Sequence, residues 1–438
     1  GKRQILIISL TSFGNGLLPS RYTGINLPMQ SPFALLASTA VMFALLPLGA
    51  IADDWTVYRG PNHNGISSES GWKSSWTKPP KILWRAKVGL GHSSFTVSQG
   101  KVYTLGNSSS KDTVFCFDAV SGKEIWKHSY PADKGAKFYE GGTHTTPTVD
   151  PPSGTVFVFG KQGQLKALDA AKGTVKWEKN AIRELNLGRK DVGLWGLGGS
   201  PLVIGNRLYL NAGSGGACLN KKDGSVIWRS RGKSGFSTPL PYDHAGKSAL
   251  VIFAAQQVTG VDAKTGLPIW SFPWATQYDV NAADPVFFSP GKTLFISSGY
   301  NVGGAMYLIE GRSPRSIWRN KNMINHFNTC VMIEGHLYGI HGHAGKTRGE
   351  LRCLDARTGR TLWSDRSVGL GALIAADGKL IVISENGTLM IGDVSPKGFR
   401  STGRVQVMGP KCWTAPVLAN GLVYLRNARG DIACVDLR

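Results

Sequence analysis

The sequence predicts an all-β protein, an eight-bladed β-propeller whose N- and C-terminal strands close one shared blade. Three observations carry this prediction. An Asp-x3-Gly-x3-Trp pattern recurs along the chain, an apolar hairpin pattern recurs ahead of it, and each chain end holds half a unit. A period of forty to fifty residues with several strands per unit is the sequence signature of a propeller blade.

The first pattern runs Asp118-Gly122-Trp126, Asp169-Gly173-Trp177, Asp262-Gly266-Trp270 and Asp355-Gly359-Trp363. Asn220-Gly224-Trp228 has Asn in the acidic position. Glu310 to Trp318 keeps the ends but carries Pro314 at the centre, and Asp393 stands in register without a closing Trp. Each unit reads as strand, tight turn, strand. The acidic side chain can accept from the backbone two residues on, and the Gly supplies the positive φ of the turn. From Trp84 to Trp363 the seven tryptophans of the pattern lie 42 to 51 residues apart.

The chain ends complete the count. Ile82-Leu83-Trp84 has no Asp before it, and Cys434-Val435-Asp436 has no Trp after it. Joined, they make one unit, and a ring closed in this way has no open sheet edge between its first and last strands. With the seven internal units this gives eight blades. The hairpin pattern agrees: Ser200 to Tyr209 and Thr414 to Tyr424 are two examples, and others begin near Ser94, Thr146, Thr238, Asp284, Thr329 and Gly371. Turn pairs between apolar runs are strong hairpin signals.

These units resemble the tryptophan-docking motif of the pyrroloquinoline quinone (PQQ)-like β-propeller repeat family. That family includes quinoprotein alcohol dehydrogenases and the BamB-type proteins of outer-membrane assembly. The resemblance covers roughly residues 55 to 438, and Trp55-Thr56-Val57-Tyr58-Arg59-Gly60-Pro61 resembles the opening of secreted bacterial members. It implies that each Trp wedges between blades and stacks on the turn Gly of the next motif. The docking positions are then Trp84, Trp126, Trp177, Trp228, Trp270, Trp318 and Trp363. Because one fold hosts many activities, the motif speaks for the fold more than for function.

The chain divides into a leader, residues 1–52, a lead-in, residues 53–81, and the propeller, residues 82–438. Within the leader, residues 1–28 are of doubtful coding status and Met29 is a candidate start. An uncharged apolar run, Phe33 to Leu48, precedes Ala50-Ile51-Ala52 and Asp53-Asp54, which reads as a secretory signal with its cleavage site. Its sixteen residues fall short of the roughly 20 that span a bilayer. No Cys follows the cleavage site, so a BamB-type lipid anchor is not expected. The expected location is periplasmic or extracellular. The lead-in is expected to cap the first blade, the alternative being a plug over the central channel.

Six cysteines in an exported chain invite a disulfide framework. Yet Cys116, Cys218, Cys353 and Cys434 all stand two residues before the Asp or Asn of a repeat, where other units carry Ala167 and Gly260. Equivalent positions in different blades lie beyond the ~7 Å that a bridge tolerates, so these four are expected as buried free thiols. Cys330 and Cys412 stand elsewhere and are left open. A short helix is expected over 181–187.

Gly-rich loops at 141–144, 193–199, 300–304 and 338–343 are expected to crowd one face near the axis, where backbones converge. The functional alternative is a ligand mouth lined by His144, Trp195, His326 and His341. In the quinoprotein dehydrogenases PQQ sits on the axis with calcium, a catalytic Asp and a ring made by two adjacent Cys. This sequence has no adjacent Cys pair, and Asn281 and Asp284 are its nearest candidates for metal oxygen ligands. His341 and His343 alternate and could share a strand face toward a metal, but no third ligand is evident. Gly345-Lys346-Thr347 ends like a phosphate loop, but position 340 is Ile340 and a strand follows, so that reading is rejected.

The formal charge is +22, and +19 once Lys2, Arg3 and Arg21 are set aside with the leader. The basic residues are spread over every blade, which favours a solvated surface and, functionally, anionic envelope material. The sequence therefore predicts an exported, non-catalytic scaffold without cofactor or metal. Expected partners are envelope proteins or anionic polysaccharide, with no nucleic acid, no transmembrane span in the mature chain and a monomeric state. A minimal PQQ-dependent dehydrogenase and a polysaccharide-binding propeller are the alternatives.

Overall fold

The computed structural model describes residues 53–136 and 138–438, and the leader expected over 1–52 lies outside them. Among the described residues the strands form eight sheets. Seven are blades in chain order: 96–131, 148–180, 202–229, 240–273, 286–320, 331–365 and 372–406. The eighth joins residues 417–436 to the N-terminal strand Ile82–Lys87, with Trp84 opposite Cys434. The shared closing blade is thus formed as the half-units at the two ends imply.

The repeated turn follows from its residues. In blade six the Asp355 carboxylate accepts the Arg357 and Thr358 N–H groups, each at 2.9 Å, while Gly359 donates to the Asp355 carbonyl at 2.8 Å. In blade one Gly122 has φ 70°, and a Cβ there would lie 2.4 Å from Cγ of Trp84 in the neighbouring blade. The glycine therefore serves both the turn and the closeness of the indole.

Six indoles donate Nε1–H to a carbonyl in the next blade's turn. Trp84 reaches Ala119 at 3.1 Å, Trp126 reaches Ala170 at 3.0 Å and Trp177 reaches Lys221 at 2.9 Å. Trp228 reaches Ala263 at 3.2 Å, Trp318 reaches Ala356 at 2.9 Å and Trp363 reaches Ser395 at 2.9 Å. Each such bond contributes about 1 kcal/mol, in addition to the buried ring. Trp270 departs from the pattern: its Nε1 donates to the Tyr242 hydroxyl of its own blade at 2.9 Å. Two local causes account for this. The next motif offers Pro314 where a turn Gly is needed, and the residue opposite Trp270 is Gly260, where a Cβ would lie 2.2 Å from the ring. The indole sinks into its own sheet.

The residue opposite the indole across the strand pair is Cys116, Cys218, Cys353 or Cys434 in four blades, Ala167 in another and Met306 in blade five. All six cysteines are buried and unbridged. Cys330 Sγ lies 3.3 Å from Asn325 Oδ1, and Cys412 Sγ lies 3.3 Å from the Gly409 carbonyl. The helix expected over 181–187 spans only Ala181–Glu184, capped by Asn180 and ended by Asn186 at φ 52°. Among the described residues no helix is long and apolar enough to cross a membrane.

The lead-in does more than cap the first blade. Trp55 pairs with Val97 of blade one, and Thr56 accepts the Val149 N–H of blade two. Arg59 donates to the Cys330 carbonyl beside blade six at 2.8 Å. Ile66–Ser67 adds a fifth, parallel strand to blade seven beside Ala372–Ala376, and Glu69 accepts the Gly421 N–H of blade eight at 2.8 Å. In blades one, two, six and seven its partners are the first strands or the residue just before them, so this part of the segment crosses the axial end of the sheets, and Glu69 then reaches the first turn of blade eight.

Candidate functional site: an aromatic mouth on the axis

The residues just before the first strands hold neighbouring blades together in a belt. The backbone N–H of Ser94 donates to Thr146 Oγ1 at 3.0 Å, that of Thr146 to Ser200 Oγ at 3.0 Å, and that of Ser200 to Thr238 Oγ1 at 3.2 Å. Thr238 N–H then donates to Asp284 Oδ1 at 2.7 Å, and Asp284 N–H to Thr329 Oγ1 at 2.8 Å. Five links thus tie six blades through side chains at one register position. Four acceptors are hydroxyls and one is a carboxylate. Asp284 Oδ2 has no hydrogen-bond partner among the described residues.

Above the belt opens a cavity of about 630 Å³. It is walled by loops that lead into the first strands and, in blades five to seven, by connections after the second strands that carry Tyr300, His343 to Lys346 and Glu385, with Tyr58 of the lead-in among the lining residues. Its aromatic rings contact one another in sequence around the wall. Trp195 meets Tyr278 edge-on at 6.3 Å, and Tyr278 meets Tyr300 at 5.3 Å. Tyr300 stands edge-on to His343 at 4.5 Å, and His343 stacks on His326 at 4.0 Å. His326 stacks on Phe327 at 3.7 Å, Phe327 faces Trp413 at 5.3 Å, and Trp413 stacks on His92 at 5.6 Å. Tyr139 then links His92 to His144.

The imidazoles are uncharged at neutral pH. Burial lowers His92 to about 4 and His144 and His326 to about 3, and it lowers His343 as well. His343 Nδ1 accepts the Tyr300 N–H at 2.9 Å and His326 Nδ1 accepts the Ala344 N–H at 3.2 Å. A neutral ring that accepts at Nδ1 carries its proton on Nε2, so each offers an Nε2–H donor. His92 Nε2 and Glu140 Oε2 are buried without a hydrogen-bond partner among the described residues.

Lys411 pairs with Glu140 and lies 5.4 Å over the Trp413 ring. Glu385 accepts the Trp413 Nε1–H at 3.1 Å and the Leu370 N–H at 3.1 Å. Burial raises Asp284 to about 7, against the pull of the Arg59 guanidinium. The Tyr58 hydroxyl is raised well above its usual range, chiefly by burial.

Of the residues singled out by sequence, His144, Trp195, Asp284 and His326 line the mouth, whereas Asn281 and His341 lie outside its lining. Asn281 is fully buried. Its Nδ2 donates to the carbonyls of Ala254, Ala255 and Trp274, and its Oδ1 accepts from Ser298 at 2.6 Å. It braces the chain between blades four and five. His341 Nδ1 accepts the Ile324 N–H and meets the Arg352 guanidinium at 3.1 Å. The strand ends at His341, and Gly342 at φ 143° turns the chain, so His341 and His343 do not share a strand face. Among the described residues no three His, Cys, Asp or Glu side chains are grouped to hold a metal ion.

Sequence reasoning missed His92, Tyr58, Tyr278, Phe327 and Trp413. A signal existed in the hairpin register. His92, His144, Phe236 and Phe327 each stand two residues before a belt position.

Comparison with known proteins agrees with this architecture. The family model described as outer membrane protein assembly factor BamB matches residues 68–186 and 141–365. BamB of Shewanella oneidensis is 23% identical over 390 residues, covering 82% of this chain and 89% of the relative. The solved structure of BamB from Moraxella catarrhalis aligns with TM-score 0.59 at 14% identity, over 82% of this chain and 99% of that one. A quinohemoprotein alcohol dehydrogenase from Comamonas testosteroni aligns with TM-score 0.61 at 13% identity, over 87% and 80%. Likeness of this order, to an assembly factor and to an enzyme alike, speaks for the fold alone. The family match covers well over half of the chain. With its repeat and its closed ring of eight blades, the chain belongs to the BamB family of PQQ-like β-propellers.

Proposed function

We propose that the chain is an exported, non-catalytic β-propeller that serves the cell envelope as a binding and assembly scaffold, with the axial mouth as its ligand-facing surface. The observation that carries this reading is the lead-in at the axis. Tyr58 lines the mouth and Arg59 is held beside it by the Asn64 and Cys330 carbonyls, where the quinoprotein resemblance would seat a quinone with calcium. The curated relatives matched are outer membrane protein assembly factors by name, and the proposal extends an assembly role in the envelope to this chain.

The residues present do not fit PQQ with calcium. The Asn281 amide is committed to three carbonyls and a serine hydroxyl. Asp284 has one oxygen in the belt and the Arg59 cation nearby, which opposes a second cation beside it. The test is titration of the purified protein with PQQ and calcium, following tryptophan fluorescence and melting temperature. Neither should change saturably. A saturable quench with a raised melting point, the mark of a ligand bound by the native state, would restore the dehydrogenase reading.

A further inference from the structure

We propose that the axial mouth binds a neutral oligosaccharide, its sugar rings against the aromatic wall and its hydroxyls on the Asp284 carboxylate and the histidine Nε2–H groups. The inference rests on the envelope reading for where such a ligand is met.

The volume is suitable: about 630 Å³ falls within the roughly 300–1,000 Å³ of small-ligand sites. The wall chemistry narrows the class. Aromatic rings supply apolar faces, while the gaps between them hold neutral donors and acceptors, which suits a ligand both apolar and rich in hydroxyls. Among the described residues of the lining the formal charges balance, with Asp284 and Glu385 against Lys346 and Lys411. An anion gains little from Lys411, which Glu140 already pairs, and it would meet the carboxylates of Asp284 and Glu385. An organic cation in the aromatic wall would meet both lysines, with the buried Arg59 cation beside the mouth.

Asp284 is the strongest pointer. At its register position Thr146, Ser200, Thr238 and Thr329 make the same belt bond with a hydroxyl. A hydroxyl would serve the belt without burying a carboxylate, which is costly. The surplus oxygen, Oδ2, belongs to a residue that lines the mouth. The buried, unpartnered His92 Nε2 is a second polar atom of the wall that the fold leaves unused.

The experiment is isothermal titration and tryptophan fluorescence on the purified protein with maltohexaose, laminarihexaose and chitohexaose, at 0.15 M and 0.5 M NaCl. Two variants accompany it. Asp284→Thr installs the belt residue of blades two, four and six, and Tyr278→Ala trims a rim side chain that is 49% exposed. At least one hexasaccharide should bind saturably and perturb tryptophan emission, with less than a twofold effect of salt. Each variant should bind at least tenfold more weakly while melting no lower than a few degrees below the parent. The proposal is overturned if no hexasaccharide binds at millimolar concentration, if 0.5 M NaCl abolishes binding, or if both variants bind like the parent. A Tyr- and Phe-rich hexapeptide that binds in a Tyr278-dependent manner where no sugar does would assign the mouth to peptide instead. Loss of sugar binding with an envelope partner retained removes this inference alone. PQQ-dependent dye reduction removes the scaffold reading.

Discussion

Replacing Asp284 by Asn should stabilise the protein above neutral pH and leave it unchanged near pH 4. The carboxamide keeps an oxygen for the Thr238 N–H and removes only the capacity to ionise. Burial raises the Asp284 pKa from the ordinary 3.8 to about 7, with Arg59 opposing and Tyr58 the other titratable group close by. Between these two values the folded state holds a proton that the unfolded state has released, so stability falls as pH rises through this window and levels off above about 7. Three pKa units correspond to about 4 kcal/mol at about 1.4 kcal/mol each. Asp284 is only 7% exposed, so solvent screening removes little of this. In a chain of this size the shift amounts to about 4–8 °C in melting temperature, extrapolating from smaller domains. Differential scanning calorimetry of both proteins from pH 4 to 9 reads it directly. The curves should coincide near pH 4 and separate progressively to pH 8, the variant melting higher. Parallel curves, or a parent that gains on the variant as pH rises, would refute the burial argument.

Further outcomes follow from the same geometry. Gly122→Ala should cost about 2–4 kcal/mol in urea unfolding, because strain at φ 70° adds to a 2.4 Å clash with Trp84. Gly311→Ala, at φ 60° with no atom within 4 Å, should cost only about 1 kcal/mol. Arg59→Ala should lower stability by about 3 kcal/mol, since it strips donors from the carbonyls of Asn64 and Cys330 and leaves Asp284 without its cation. All six thiols should resist a disulfide reagent in the native protein and react together in guanidinium. They are buried, and burial pushes Cys116, Cys330, Cys412 and Cys434 up to about 12.

The ring was legible because each blade repeats its own instructions. Asp118, Gly122 and Trp126 encode a turn and an interblade contact that recur with little change, and the half-units at Trp84 and Asp436 show the closure. Even the exception had a visible cause, since Pro314 stands where the partner of Trp270 needs a glycine. The mouth was less legible because its residues come from loops of unequal length. His144, Trp195, Asp284 and His326 could be proposed from Gly-rich surroundings and repeat starts. Nothing in linear spacing brings Tyr300 onto His343, or Trp413 onto His92, because those contacts depend on blades meeting across the ring. Asn281 was misleading for a related reason: an oxygen-bearing side chain near a belt position can brace a loop as readily as it can face a ligand. The path of the lead-in was likewise hidden, because its partners lie in blades far apart in sequence.

The proposed scaffold role requires that this chain bind partners in the cell envelope. It is tested most directly by photo-crosslinking in the producing cells, with a photoreactive residue at Tyr278 on the mouth rim and, separately, at Leu267 on the outer turn of blade four. The protein should fractionate with the envelope, and the Tyr278 position should capture an envelope constituent reproducibly. A chain that fractionates elsewhere, or that captures nothing from either position, would contradict that role.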